Sequence, residues 1–171
     1  YVLSAVGRLP NVEGLNLKEA EVSYSRKGIT VDNRLATTAR GVFAIGDVAT
    51  EGPMLAHVAS RQGAVAVENA LGYNSYIDYT AVPTCIFSHP EVASVGMSDE
   101  EARLKGYDVK IGKFALGNNG KAIVNGEPEG FIKVVAEAKD NQILGIHIFG
   151  PHASDLVLEG TLSIRLDATL D

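Results

Sequence analysis

Apolar residues in this chain fall into short runs punctuated by Gly, Pro, Asn and Asp. Val42-Phe43-Ala44-Ile45, bounded by Gly41 and Gly46, predicts a fully buried strand. After Gly52-Pro53, residues 54–71 predict a helix, with Leu55, Val58, Ala59, Gln62, Ala66 and Asn69 at roughly helical spacing. Ala59, Gly63, Ala64 and Ala66 are small and allow close packing against a sheet or a cofactor. A helix-interior glycine costs about 1 kcal/mol, so Gly63 is expected to have a packing reason. Upstream, residues 1–6 read as a short strand ended by the loop Gly7-Arg8-Leu9-Pro10-Asn11. Residues 15–21 read as a short helix. Residues 22–24 and 29–31 flank Ser25-Arg26-Lys27-Gly28 as a small hairpin, and residues 32–40 form a polar connector.

Residues 72–78 are rich in Gly, Asn, Ser and Tyr and mark a candidate domain boundary. Beyond them, residues 82–88 and 92–97 predict strands joined by His89-Pro90-Glu91. Ser98 followed by Glu101 is a capping-box match that opens a helix, and Gly106 can end it. Residues 109–116 predict a strand, 117–120 a loop and 122–124 a short apolar piece before the Asn125-Gly126 turn. Residues 131–138 and 142–149 predict two strands joined through Lys139-Asp140-Asn141. Gly150-Pro151 closes the second, and Ser154 or Asp155 starts a last helix through Leu166. Antiparallel strands with helices at their ends predict an α+β domain over residues 80–171.

The candidate chemistry lies at Gly46-Asp47. A buried strand ending in Gly-Asp before a helix start is one way α/β proteins hold nucleotide-type ligands. Gly46 permits close approach of a ligand to the backbone, and the Asp47 carboxylate can accept hydrogen bonds from ribose-like hydroxyls. The helix start offers backbone N–H groups and partial positive charge. Read from the residues alone, the same unit is also ordinary α/β packing, and Gly7 is also a simple strand-ending turn.

Composition narrows the picture. A 171-residue chain with 46% hydrophobic and 21% charged residues is globular, as one domain or two small units. It has no run of about 18 apolar residues, so no membrane span is expected. A net charge of −6 with scattered Lys and Arg argues against a nucleic-acid partner. The single cysteine, Cys85, cannot form an internal disulfide, fits a reducing compartment and reads as a buried structural thiol. No His/Cys cluster supports a metal. Tyr1 lies inside a strand-like run, so no signal peptide is expected, and the lack of an initiator Met leads us to expect a piece of a longer chain.

G-V-F-A-I-G-D-V at 41–48 with G-P-M-L-A-H at 52–57 resembles the second FAD-contact segment of the flavin-dependent pyridine nucleotide–disulfide oxidoreductases. The wording A-x-G-R-x-P-N at 5–11, F-S-H-P-E-V-A-S-V-G at 87–96, E-G-F-I-K-V-V at 129–135 and I-L-G-I-H-I-F-G-P at 143–151 is also close to that family's. The resemblance implies a fold class of α/β and α+β. Residues 1–15 would close an NAD-binding domain, 16–79 would end a FAD-binding domain, and 80–171 would form most of an α+β dimerisation domain with an antiparallel sheet. It implies that Asp47, after Gly46, contacts the FAD sugar-alcohol and pyrophosphate region. Met54, Leu55, Ala56 and His57 would lie along the flavin, and Gly7 would sit near the nicotinamide nucleotide. The implied cofactors are FAD and NAD. The implied reaction is oxidation of dihydrolipoamide, through a redox disulfide and FAD, with electrons passed to NAD. Implied partners are a second copy, through residues after about 80, and a 2-oxo acid dehydrogenase complex or glycine-cleavage system. The implied location is cytoplasmic, or the mitochondrial matrix in a eukaryote.

Other parts of the family pattern are absent. The redox pair C-x-x-x-x-C and the first FAD segment G-x-G-x-x-G are not in these residues, and the base segment H-P-T-x-x-E would follow Asp171. No Asp or Glu at helical spacing singles out His57, His89, His147 or His152 for catalysis. No catalytic residue is therefore assigned, and the chain alone is expected to be inactive and to bind FAD weakly or not at all. The loop Asn118-Asn119-Gly120-Lys121 departs from the Asn-Ser-Arg-Ala of many members. Sibling reductases acting on glutathione or mercuric ion, and a stand-alone association module, are the alternatives.

Overall fold

The computed structural model describes residues 1–171, which divide into two compact units, Tyr1–Tyr79 and Thr80–Asp171.

In the first unit, strands β1 (Tyr24–Ser25) and β2 (Gly28–Ile29) pair antiparallel around Arg26-Lys27. Gly28 has φ +115°, and a Cβ there would collide with the Val48 carbonyl, so only glycine turns the chain at this point. Ile29 bridges Ala49 in parallel, Val31 bridges Thr37, and Ala36 bridges Phe43. A 3-10 turn, Gly46–Val48, leads to helix α1 (Ala56–Ala70). Val22, Ile29, Val31, Leu35, Ala44, Ala49, Val65, Ala66 and Ile77 form the core. Leu35 is fully buried at φ +67°, uncommon for a residue with a branched side chain. The Asp32 carboxylate supports it by accepting from the backbone N–H groups of Arg34 and Ala36, each at 2.9 Å.

Several expectations are corrected here. Residues 1–6 form no strand: Tyr1, Val2, Leu3 and Val6 are exposed, and no neighbouring segment supplies a ladder. Residues 15–21 form turns instead of a helix, with Asn16 and Glu21 at positive φ. Residues 42–45 are not a fully buried strand: only Phe43 bridges another segment, and Val42 and Ile45 are 41% and 40% exposed. The long helix starts at Ala56, two residues late. Within the protein a Cβ on Gly63 would meet only Ile45 Cδ1, at an ordinary 3.6 Å, so no neighbouring element requires glycine there.

The second unit is built on five antiparallel strands: β3 (Thr84–Ile86), β4 (Glu91–Gly96), β5 (Val109–Ala115), β6 (Phe131–Glu137) and β7 (Ile143–Gly150). Their order is β3-β4-β7-β6-β5, with all neighbours antiparallel. The central strand β7 registers Ile148 opposite Ala93 on one side and Ile132 on the other. Helix α2 (Asp99–Leu104) carries the full capping box: Glu101 N–H donates to Ser98 Oγ, and Ser98 N–H donates to the Glu101 carboxylate. Its buried Ala102 packs with Val135 and Leu144. The piece read as 122–124 is a helix, α3 (Gly120–Val124), because the Asn119 carboxamide accepts from Ala122 N–H and caps it.

Helix α4 (Ala153–Arg165) buries Ala153 and Val157 against Ala93, Val95 and Ile148. Burying Val95, Ile148 and Val157 contributes about 1.5–3 kcal/mol each. A Cβ on Gly160 would sit 3.0 Å from Ile146 and 3.2 Å from Val95, so glycine sets how closely α4 approaches the sheet. At its start, Ser154 N–H donates to the Glu91 carboxylate at 2.8 Å, so a side chain from β4 caps this helix.

Three carboxyls of this unit titrate below their ordinary values. Asp99 is held at about 2, by hydrogen bonds from Lys133 first and then Arg103, at 2.6 and 2.8 Å. Glu91 is lowered by donation from Ser154, and Glu101 by donation from Ser98. A carboxyl with a folded pKa below its unfolded one stabilises the fold above the unfolded value and stops doing so as pH falls through the folded value. Thermal melts of this unit are therefore expected to drop as pH falls from Asp99's ordinary 3.8 towards about 2, with a shallower drop in Asp99→Asn. Ser98→Ala is expected to cost about 1 kcal/mol in urea unfolding through loss of the cap. Gly63→Ala is expected to gain about 1 kcal/mol, since the helix favours alanine and nothing crowds the new methyl.

Candidate cofactor-facing site

The turn carrying Asp47 starts with a glycine because the chain reverses there through φ +69° at Gly46. Ala49 N–H donates to Gly46 O at 3.0 Å and closes the turn. Asp47 projects a carboxylate that is 38% exposed and pairs with Arg8, Nη2 to Oδ2 at 2.9 Å. Arg8 follows Gly7, which has φ +93° and is exposed with open space around its Cβ position. The exposed segment before the first core residues thus reaches Asp47 through one guanidinium.

Gly46 is held from its other side. Its N–H donates to Gln62 Oε1 at 2.6 Å. Gln62 lies on α1, is 1% exposed, and donates from Nε2 to Glu51 O at 3.0 Å and to Tyr79 Oη at 2.8 Å. The start of α1 is tied to the turn in this way. Leu55, its N-cap, has no side-chain capping bond, and the first turn holds no acidic residue. Met54 and Leu55 are half-buried, while Ala56 and His57 are exposed. The arrangement sets a hydroxyl-accepting carboxylate beside a long helix whose amino end lacks a side-chain cap. That donor set suits a ligand with sugar hydroxyls and anionic or electron-accepting groups.

The structure brings Gly46, Asp47 and the start of α1 together. Sequence reasoning missed Arg8, Gln62 and Tyr79 as parts of this arrangement. Gln62 left a signal: it is a polar residue on the inward stripe of α1, with Val58, Val65, Ala66 and Asn69. Arg8 and Tyr79 left none, since Arg8 reaches the turn, and Tyr79 reaches Gln62, from distant positions in the chain.

Elsewhere, Cys85 on β3 is half-buried against the α4 cluster. Burial, then the Glu91 charge, pushes its thiol up, so it is a poor nucleophile at neutral pH. His147 lies 3.1 Å from the Met97 carbonyl through Nε2. The expectation that no acid partners a histidine at helical spacing is corrected at His152, whose Nδ1 is 3.5 Å from Asp155 Oδ2. Both side chains are exposed, at the start of α4. No three His, Cys, Asp or Glu side chains are grouped to hold a metal ion, and no helix is long and apolar enough to cross a membrane.

Residues 82–171 match the pyridine nucleotide-disulphide oxidoreductase dimerisation domain, and residues 1–63 match the pyridine nucleotide-disulphide oxidoreductase domain. The chain belongs to the pyridine nucleotide-disulphide oxidoreductases. Over 99% of its length it is 46% identical to a dihydrolipoyl dehydrogenase of Thermus scotoductus and 41% identical to a mitochondrial dihydrolipoyl dehydrogenase of Caenorhabditis elegans. It covers 36% and 34% of those proteins, so it spans about a third of the length of the curated relatives it matches. Among solved structures, LpdA from Mycobacterium tuberculosis superposes with a TM-score of 0.84 at 29% identity, over 94% of this chain and 35% of LpdA. Membership of the pyridine nucleotide-disulphide oxidoreductases accounts for both units, the mixed α/β first and the antiparallel second.

The thiol chemistry yields a direct check. Cys85 is expected to alkylate with iodoacetamide more slowly than free cysteine at pH 7, with the rate still rising above pH 9. A rate at neutral pH matching free cysteine would contradict its partial burial.

Proposed function

We propose that this chain forms the flavin-closing and dimer-forming part of a dihydrolipoyl dehydrogenase. The observation that carries the reading is 46% identity to such an enzyme along 99% of the chain. The Gly46-Asp47 turn beside the uncapped start of α1 supports it chemically. In this reading residues 1–15 close the NAD-binding domain, 16–79 end the FAD-binding domain and 80–171 form the dimerisation domain.

When bound, FAD supplies two-electron transfer between a disulfide and NAD. The residues of this chain bind and orient. Asp47 would accept hydrogen bonds from the sugar-alcohol hydroxyls, and Arg8, paired with it at 2.9 Å, would offset its charge. Met54, Leu55, Ala56 and His57 would line the flavin, and the amino end of α1 would favour negative charge on it. Gly7 leaves room beside the nicotinamide nucleotide. In this reading a redox cysteine pair would come from outside these residues, which hold the single cysteine Cys85.

Self-association is the second part of the reading. Leu158, Leu162 and Leu166 recur every fourth residue from α4 onward and are 68%, 57% and 67% exposed. An apolar stripe of this kind is suited to burial against a second copy. The dimer would serve a 2-oxo acid dehydrogenase complex or glycine-cleavage system, in the bacterial cytoplasm or the mitochondrial matrix.

The test is turnover by the full-length protein carrying these residues, with dihydrolipoamide and NAD set against oxidised glutathione and NADPH. Turnover of dihydrolipoamide is expected. Turnover of glutathione alone would move the protein to a sibling reductase. Absence of both turnover and bound flavin would leave only an association module. Leu162→Glu is expected to shift sedimentation from dimer towards monomer, and a monomeric parent protein would remove the dimer from the reading.

A further inference from the structure

We infer that Gln62 is a positioning residue for the cofactor-facing turn: its buried carboxamide sets the Gly46 backbone and, through it, the direction of the Asp47 carboxylate. The inference rests on the flavin reading above and assigns a residue that does not itself touch the cofactor.

The geometry is specific. A primary amide has two N–H donors and one carbonyl acceptor, and in Gln62 all three functions are used. Rotating the amide by half a turn would set its NH2 against the Gly46 N–H and its oxygen against the Glu51 carbonyl, so the network accepts one orientation. The side chain is 1% exposed, where an unpaired amide is costly and a fully paired one is held firmly. Gly46, at φ +69°, has no β-ladder or helix partner for its N–H; Gln62 Oε1 is its acceptor. The next residue is Asp47. A small rotation of the Gly46 peptide therefore moves the carboxylate, whose other restraint is the half-exposed Arg8 pair.

Tyr79 provides the internal control. It accepts from the same Gln62 amide, on the side away from Gly46. Losing its hydroxyl unsettles the network without removing the acceptor that holds the turn. A role confined to stability predicts similar behaviour for Gln62 and Tyr79 variants. A positioning role predicts that only loss of the Gly46 acceptor alters flavin binding.

The experiment measures FAD dissociation constants and apoprotein melting in the full-length protein carrying these residues. Gln62→Met keeps most of the volume and removes the acceptor. Its FAD dissociation constant is expected to rise about tenfold, the equivalent of one hydrogen bond of about 1.4 kcal/mol. Gln62→Glu keeps an oxygen towards Gly46 N–H but loses the donor to the Glu51 carbonyl, so it is expected to melt lower while its FAD constant stays within about threefold of the parent. Tyr79→Phe is expected to lower the melting temperature while leaving the FAD constant unchanged. An unchanged FAD constant in Gln62→Met, or an equal rise in Tyr79→Phe, overturns the positioning role. A parent protein that binds no FAD overturns the flavin reading and this inference together, and is distinguishable because the unsubstituted protein itself fails.

Discussion

Gln62 carries a side chain that water would hydrate well, placed where water does not reach. Such a group is tolerated only when every hydrogen-bonding function is paired. Its three partners lie 11 to 17 residues away along the chain: Gly46, Glu51 and Tyr79. Satisfying one amide therefore holds the 3-10 turn, the loop after it and the end of the first unit on one face of α1. Asn69, two turns further on, does the same at the other end. Its carboxamide donates to the Arg34 and Ser75 carbonyls and accepts from Ser75 N–H and the Arg34 guanidinium. Between them, Val65 and Ala66 supply the apolar contact. The first unit has only a two-residue hairpin and isolated bridges, so these two amides take over much of the work that a sheet ladder does elsewhere.

The second unit is held by other means. Its five-stranded ladder satisfies the backbone, and α4 covers β4 and β7 with Gly160 at the closest approach. Its charged groups sit at helix starts and between elements. Glu91 caps α4 from β4, the Ser98–Glu101 box caps α2, and Asp99 joins α2 to Lys133 on β6. These contacts are partly exposed and individually small, but each one sets where a helix begins or how it lies on the sheet. The Cys85 thiol is pushed up, and the His152–Asp155 pair faces solvent.

Elements with local causes were legible. The capping box announced α2, and the Lys139-Asp140-Asn141 connection announced the β6–β7 hairpin, where Asn141 takes φ +65°. The alternating strands after residue 80 carried their own pattern. Elements that depend on partners were not legible. Val42-Phe43-Ala44-Ile45 has the composition of a buried strand, yet only Phe43 finds a bridge. Residues 15–21 have helix-forming residues, but local turns with positive φ at Asn16 and Glu21 replace the ladder. At α3 the apolar piece was visible, and the cap from Asn119, read as loop, made it a helix.

By itself the sequence determined which segments can be helices and strands after residue 80, that Gly46 and Asp47 sit ahead of a helix, and the motif wording that marks the family. These follow from short-range causes: side-chain periodicity, caps and the conformational freedom of glycine. Only the tertiary structure decided what holds the Asp47 turn. Arg8 and Gln62 reach it from 39 and 16 residues away, counted from Asp47 and Gly46, and Tyr79 reaches Gln62 from 17. A hydrogen bond between distant residues depends on the path of the whole chain, and periodicity does not encode that path. Burial then makes the choice strict, because a polar group without water must find its partner or destabilise the fold.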